Sequence, residues 1–164
     1  MSQLTQERLR ALLHYDPETG VFVRTKGVQG FASGSTAGNH HAASGYVMIG
    51  VDRRSYRAHR LAWLYMTGAW PPGDIDHINR DRADNRWAKL RVATRSQNNA
   101  NAKRRCDNTS GARGVSWDAK NKRWRAYVGV GGKQLHLGRF DTVEQAVAAQ
   151  ASAFQATYGE FAAA

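Results

Sequence analysis

The pair Asp76-His77, set in a short β-like run from Ile75 to Ile78 and followed twenty-one residues after the histidine by Asn98, constrains this chain more than any other feature. The run reads as a short strand. Asn79-Arg80-Asp81-Arg82-Ala83-Asp84-Asn85-Arg86 then forms a polar loop of turn-forming residues. A second short strand, Leu90-Arg91-Val92-Ala93-Thr94, follows, and a helix opens near Ser96. An isolated Asp-His pair is an ordinary polar turn; with these flanks and Asn98 it supplies a base and two oxygen ligands. A hard cation such as Mg²⁺ or Mn²⁺ takes carboxylate and amide oxygens and keeps several waters. Asp76 and Asn98 can each give it one oxygen. His77, beside the ligand, can deprotonate a water for attack on phosphorus. Strand, loop, strand and helix around one metal is a ββα-metal arrangement.

Ile75-Asp76-His77-Ile78-Asn79 through Asn85-Arg86, Leu90-Arg91, Ala93-Thr94 and Gln97-Asn98-Asn99-Ala100-Asn101 resembles the HNH homing endonucleases common in phage genomes. The resemblance extends upstream through Ala58-His59-Arg60-Leu61-Ala62-Trp63-Leu64-Tyr65 and Gly68-Ala69-Trp70-Pro71. It implies that Asp76 and Asn98 hold the metal and that His77 is the general base. One position departs from the pattern. Where the family has its middle Asn, immediately before the Leu-Arg of the second strand, this chain has Lys89. An amide there both donates and accepts, tying the loop so that His77 presents its ring; lysine only donates. Lys89 therefore enters the catalytic set as the residue expected to impair it, with a cation's repulsion of the metal adding to the effect. Two alternatives stay open: Asn85 substitutes from within the loop, or Lys89 turns outward to a DNA phosphate.

A chain of 164 residues with 41% hydrophobic content builds one ordinary domain or two to three small ones. A net charge of +11 favours a polyanionic partner. Between Asn101 and Phe140 there are ten Lys/Arg against two Asp/Glu, and from Asp141 onward there is no Lys or Arg. Cys106 is the only cysteine, which excludes an intrachain disulfide and a zinc site built on paired cysteines, and fits a reducing cytoplasm. Residues 1–7 lack the apolar core of a signal peptide, and no run approaches a membrane span, so no membrane partner is expected.

Residues 3–14 read as a short helix with Leu9, Leu12 and Leu13 on one face. A turn over 16–20 leads to a strand, Val21 to Arg24. Residues 26–45, rich in Gly, Ser, Ala and Asn, read as a solvated loop, with the adjacent His40 and His41 better solvated than metal-bound. A hairpin around Asp52-Arg53 precedes a helix from His59 to Thr67, stopped by Gly68 and Pro71-Pro72. His59 reads either as a phosphate contact or as a packed or capping histidine.

From Thr109 the chain changes character. Gly114 to Trp117, Arg123 to Val130 and Lys133 to Phe140 are three expected strands, with turns at Asn121-Lys122 and Gly131-Gly132. Asp141-Thr142-Val143-Glu144 has the form of a capping box, opening a helix with Val143, Val147, Phe154 and Tyr158 on one side. Arg113-Gly114-Val115, Trp124, Leu137-Gly138-Arg139-Phe140-Asp141-Thr142 and Glu144-Gln145-Ala146 resemble the DNA-binding domain of plant ethylene-response factors, which phage HNH endonucleases often carry at the C-terminus. The resemblance implies Arg113, Trp117, Arg123, Trp124, Arg125, Lys133 and Arg139 as DNA contacts. Alternation puts Arg123, Arg125 and Tyr127 on one face and Trp124, Ala126 and Val128 on the other, so some of these belong to the core. Arg91, Arg95 and the run Lys103-Arg104-Arg105 complete the candidate phosphate contacts.

The expected architecture is α+β, with an N-terminal β-containing region at 1–57, a ββα-metal core at 58–105 and a three-stranded antiparallel sheet plus helix at 106–164. The expected function is metal-dependent cleavage of double-stranded DNA with Mg²⁺ or Mn²⁺, one active site per chain and a monomer favoured. The rival is a DNA-binding protein whose nuclease site Lys89 has disabled. An RNA-binding module is a weaker third reading, because aromatic pairs that stack unpaired bases are lacking outside the DNA-type motif.

Overall fold

A computed structural model describes residues 3–28, 30–102 and 110–162. The chain divides into two compact units, Met1–Ala93 and Thr94–Ala164. Both mix helices with small antiparallel sheets.

In the first unit Thr5 caps α1 (Gln6–Leu12), its hydroxyl accepting from the Arg8 amide at 3.2 Å. The helix is shorter than the span 3–14 expected from leucine spacing, because Leu13 is already extended and opens β1 (Leu13–Tyr15). Burying Leu13 and Tyr15 on one face of a strand serves the same apolar residues that a longer helix would. β1 pairs with β2 (Phe22–Arg24), and β2 with β3 (Thr36–Ala37). β4 (Asn39–His40) then joins β5 (Val47–Val51) and β6 (Arg54–Arg57). The segment expected to be loop over 26–45 thus contributes two short strands, while its histidines stay exposed and His41 Nδ1 lies 2.9 Å from Ser44 Oγ. Asp52 and Arg53 both take positive φ (48° and 63°), the geometry of a tight turn matched to strand twist.

α2 (Ala58–Thr67) buries Leu61, Ala62 and Leu64 and ends at Gly68, whose left-handed backbone (φ 79°) lets its amide donate back to the Leu64 carbonyl. β7 (Asp74–His77) pairs antiparallel with β8 (Leu90–Ala93), the intervening loop holding one 3-10 turn, Trp87–Lys89. A single core joins Leu9, Leu13, Tyr15, Phe22, Ile49, Leu61, Leu64, Ile75 and Leu90. Every small sheet of this unit therefore contributes to one core with α1 and α2, support that a two-stranded ribbon needs in order to persist in water.

The second unit opens with α3 (Arg95–Asn101), whose N-cap Thr94 forms a reciprocal capping box with Gln97. β9 (Val115–Asp118), β10 (Arg123–Val130) and β11 (Lys133–Phe140) form an antiparallel sheet in the order β11-β10-β9, with a bulge between Ala126 and Tyr127. α4 (Val143–Tyr158) packs on it around Val115, Ala126 and Ala146. Its N-cap is Thr142, accepting from the Gln145 amide at 3.3 Å, one residue later than a cap at Asp141 would place it.

Two features of the first unit give measurable consequences. Gly20 has φ 75°, and a Cβ there would lie 2.4 Å from the Arg86 amide nitrogen and 2.5 Å from the Asn85 carbonyl carbon. Gly20→Ala should therefore cost more than the roughly 1–3 kcal/mol of left-handed strain alone, read by urea unfolding. His59 is buried on α2, its Nδ1 without a hydrogen-bond partner, and burial, followed by the nearby His77, Arg57 and Arg60 charges, pushes its pKa down to about 3. A histidine neutral when folded takes up a proton on unfolding, so stability should fall as pH drops from about 6.5 towards the folded value. The slope should reach up to about 1.4 kcal/mol per pH unit and become shallower in His59→Phe, measured by denaturant midpoints between pH 7 and 4.5.

Candidate functional site

Antiparallel register sets Asp76 opposite Arg91 and His77 opposite Leu90. Directly opposed residues share a face of the ribbon, and here they form an ion pair. Arg91 Nε and Nη2 each lie 2.9 Å from Asp76 Oδ2, with side chains 14% and 4% exposed. Arg91, expected to meet DNA, pairs here with the carboxylate expected to hold the cation. His77 projects to the other face and is buried. Its ring meets His59 edge-on at 4.9 Å between centroids, and Tyr46 lies 6.0 Å away. Burial lowers its pKa, while the Asn85 carboxamide and the carboxylates of Asp76, Asp81 and Asp84 pull the other way. The net direction is downward, so the imidazole is neutral near pH 7 and able to accept a proton.

The loop behind this histidine is tied at several points. Ile78 donates its amide to the Lys89 carbonyl at 2.9 Å, and Trp87 donates to the Pro17 carbonyl at 2.9 Å. The Tyr15 hydroxyl donates to the Asn85 carbonyl at 2.6 Å. Within the loop Asn79 Nδ2 and the Arg86 guanidinium both hold Asp84, whose carboxyl is kept well below the usual range by Arg86 first of all. Asn85 is 4% exposed. Its Nδ2 donates to the Ala83 carbonyl at 2.8 Å, and its Oδ1 is buried without a hydrogen-bond partner. The carboxamide lies close enough to His77 to favour its charged form against the effect of burial.

Lys89 enters this arrangement through its backbone. Its ammonium group has no hydrogen-bond or ion-pair partner among the described residues. The loop closes without an amide side chain at position 89, and the amide that sits against the histidine is Asn85. Tyr46 is a neighbour that sequence reasoning missed: Arg57 and Arg82 lie over its ring at 4.5 and 5.0 Å. Nothing in its sequence spacing marks it, because it comes from a hairpin remote from Asp76-His77.

Asp76 and Asn98 are oxygen donors, the chemistry a hard divalent cation requires, and two protein ligands suit an ion that retains water. The position beside Asp76 already accommodates positive charge in the form of Arg91. Asn98 is half-buried on α3, in the second compact unit. Among the described residues there is no cluster of three or more His, Cys, Asp or Glu side chains. Carboxylate and amide oxygens of this kind would suit Mg²⁺ or Mn²⁺.

The remaining candidate contacts separate by face. Arg125 stands opposite Ser116 and Arg139, and Arg123 opposite Asp118, which places the three arginines on the face of the sheet away from α4. All three are exposed: Arg125 donates to Ser116 Oγ at 2.8 Å, Arg139 to Asp118 at 3.1 Å, and Arg123 pairs with Asp141 at 3.0 Å. Trp117 and Trp124 pair across the strands on the other face, edge to face at 5.3 Å, and Trp124 packs against the core with Val143. Lys133 is exposed at the start of β11, and Arg95 is exposed on the first turn of α3. Arg113 reaches the carbonyls of Asn99 and Ala100, both at 2.8 Å, and that of Ala102. Lys103, Arg104 and Arg105 lie outside the described residues.

No helix among the described residues is long and apolar enough to cross a membrane. Residues 56–100, which carry Asp76, His77, Lys89 and Asn98, match the HNH endonuclease family model. Protein 3.8 of Escherichia phage T7 is 35% identical over 89 residues, covering 54% of this chain and 74% of that protein. No solved structure gives a significant match. With the ribbon, its buried histidine and the matched segment coinciding, the chain carries an HNH endonuclease domain at residues 56–100 and belongs to one family with its homologue, T7 Protein 3.8.

Proposed function

We propose that the chain is a homing-type DNA endonuclease that hydrolyses phosphodiester bonds with one Mg²⁺ or Mn²⁺, His77 acting as general base and Asp76 and Asn98 as cation ligands. The observation that carries this reading is a buried histidine whose pKa is lowered, adjacent to the carboxylate that the family pattern assigns to the metal. In the step envisaged, His77 takes a proton from water as the water oxygen attacks phosphorus. The phosphorus–oxygen bond to the leaving sugar oxygen breaks, and that oxygen is reprotonated from solvent. When bound, the cation supplies charge stabilisation to the phosphate and the leaving oxygen. Asn85 and the backbone ties at Ile78 and Trp87 hold the imidazole in place. With one site per chain, the elementary product is a nick in double-stranded DNA, a reaction suited to the cytoplasm.

The C-terminal sheet is proposed as the DNA reader, in the manner of an ethylene-response-factor domain, through Arg123, Arg125, Arg139 and Lys133. Trp124, placed in the core, would act through the fold. The competing reading, a binding protein with a disabled site, rests on Lys89. The observed loop weighs against it, since the backbone and Asn85 do what an amide at 89 was expected to do.

Plasmid nicking tests both. Asp76→Asn, which preserves a partner for Arg91, should abolish metal-dependent nicking while filter-binding of DNA persists. His77→Ala should slow single-turnover nicking by roughly a hundredfold to ten-thousandfold. Nicking that survives both changes and EDTA would refute the assigned site. At position 89 the geometry predicts that Lys89→Asn changes single-turnover nicking by no more than about twofold, the scale of an ordinary surface substitution, whereas Asn85→Ala slows it markedly. A large gain in Lys89→Asn would restore the disabled-site account.

A further inference from the structure

We propose that Arg113 and Tyr158 are positioning residues for Asn98, fixing the helix that carries this amide; this rests on the reading of Asn98 as a ligand. α3, the helix that carries Asn98, is only seven residues long. Helices of that length are marginal without tertiary support, and of its seven residues Ala100 and Asn101 are buried. A cleft of about 550 Å³ lies between α3 and the sheet, lined by Ser96, Asn99, Gly129, Lys133, Phe154 and Tyr158 among others.

Polar anchors fix the helix at both ends. At the C-terminus the Arg113 guanidinium donates to the carbonyls of Asn99 and Ala100, each at 2.8 Å, and to that of Ala102. These are the acceptors that a helix end leaves unsatisfied, and a cation there also opposes the negative end of the helix dipole. The guanidinium is set in turn over the Phe154 ring, 5.6 Å from its centroid. At the N-terminal turn Ser96 Oγ lies 2.8 Å from the Tyr158 hydroxyl, which also bonds the Gly129 carbonyl on β10. Asn98 sits between the two anchors. Arg113, Phe154 and Tyr158 all belong to the sheet-and-α4 body, so the height and rotation of α3, and with them the amide of Asn98, are set by that body. A DNA role for Arg113 would require it to leave three carbonyls at once.

The test uses the full chain and two independent readouts. Mn²⁺ binding is titrated by electron paramagnetic resonance on protein without DNA, and DNA affinity by filter-binding without metal. Arg113→Ala and Tyr158→Phe should each weaken Mn²⁺ binding by about tenfold or more, the usual effect of removing a group that orients a ligand, and leave DNA affinity unchanged. Arg113→Lys, still able to donate to helix-end carbonyls, should recover part of the loss. Tyr158→Phe removes only a hydroxyl, so the proposal stays testable if Arg113→Ala unfolds. Arg125→Ala should do the reverse, lowering DNA affinity without touching Mn²⁺. Unchanged Mn²⁺ binding in Tyr158→Phe and Arg113→Ala, with Asn98→Ala impaired, would overturn the positioning role alone. If Asn98→Ala binds Mn²⁺ normally, the ligand reading itself fails and the proposal with it.

Discussion

The loop from Ile78 to Lys89 has almost no repeating structure of its own, so the site depends on what neighbouring backbone does to it. Three segments hold it: the first turn of the chain through Tyr15, Pro17 and Gly20, the ribbon through the Ile78–Lys89 bond, and the internal Asn79–Asp84–Arg86 set. The approach at Gly20 is the tightest of these, because backbone meets backbone where a side-chain carbon would otherwise stand. The N-terminal helix and hairpin, which carry no candidate ligand, are therefore part of the machinery that shapes the histidine's surroundings.

Electrostatics in the first unit follow from burial. An imidazole in the interior is held neutral by the cost of desolvating its charged form, which suits a proton acceptor. Asp76 is buried as well, and a buried carboxylate without a partner is expensive. Arg91 resolves this across the ribbon, in a geometry dictated by register rather than by chain proximity. Removing one member of such a pair is costly, on the order of 3–5 kcal/mol, chiefly through the charge left behind.

Local signals were legible where the chemistry is local. The Asp52-Arg53 hairpin, the stop at Gly68, the two strands around the loop and the three strands with their following helix all stand where turn residues and apolar spacing put them. Long-range relations were less accessible. The alternation in β10 separated Arg123 and Arg125 from Trp124 but could not say which face α4 would cover. The seats of Arg91 and Arg113 were invisible, since an arginine in a basic protein reads as a phosphate contact until its partner is known. Asn85 lies within the loop rather than at the strand's start, so sequence alone leaves open whether it takes the place of an amide at 89. The ties to Tyr15 and Pro17 that seat the loop join residues far apart in sequence.

The Asp76–Arg91 pair has one more implication, for how the protein persists when it is idle. Metal-templated folds collapse on chelation because their ligands repel one another until the ion arrives. Here the negative charge at the heart of the ribbon is balanced from within the chain. The polypeptide can therefore be synthesised and reach its final shape in surroundings poor in divalent ions, so that under the proposed function cation supply would bear on its work and not on its survival.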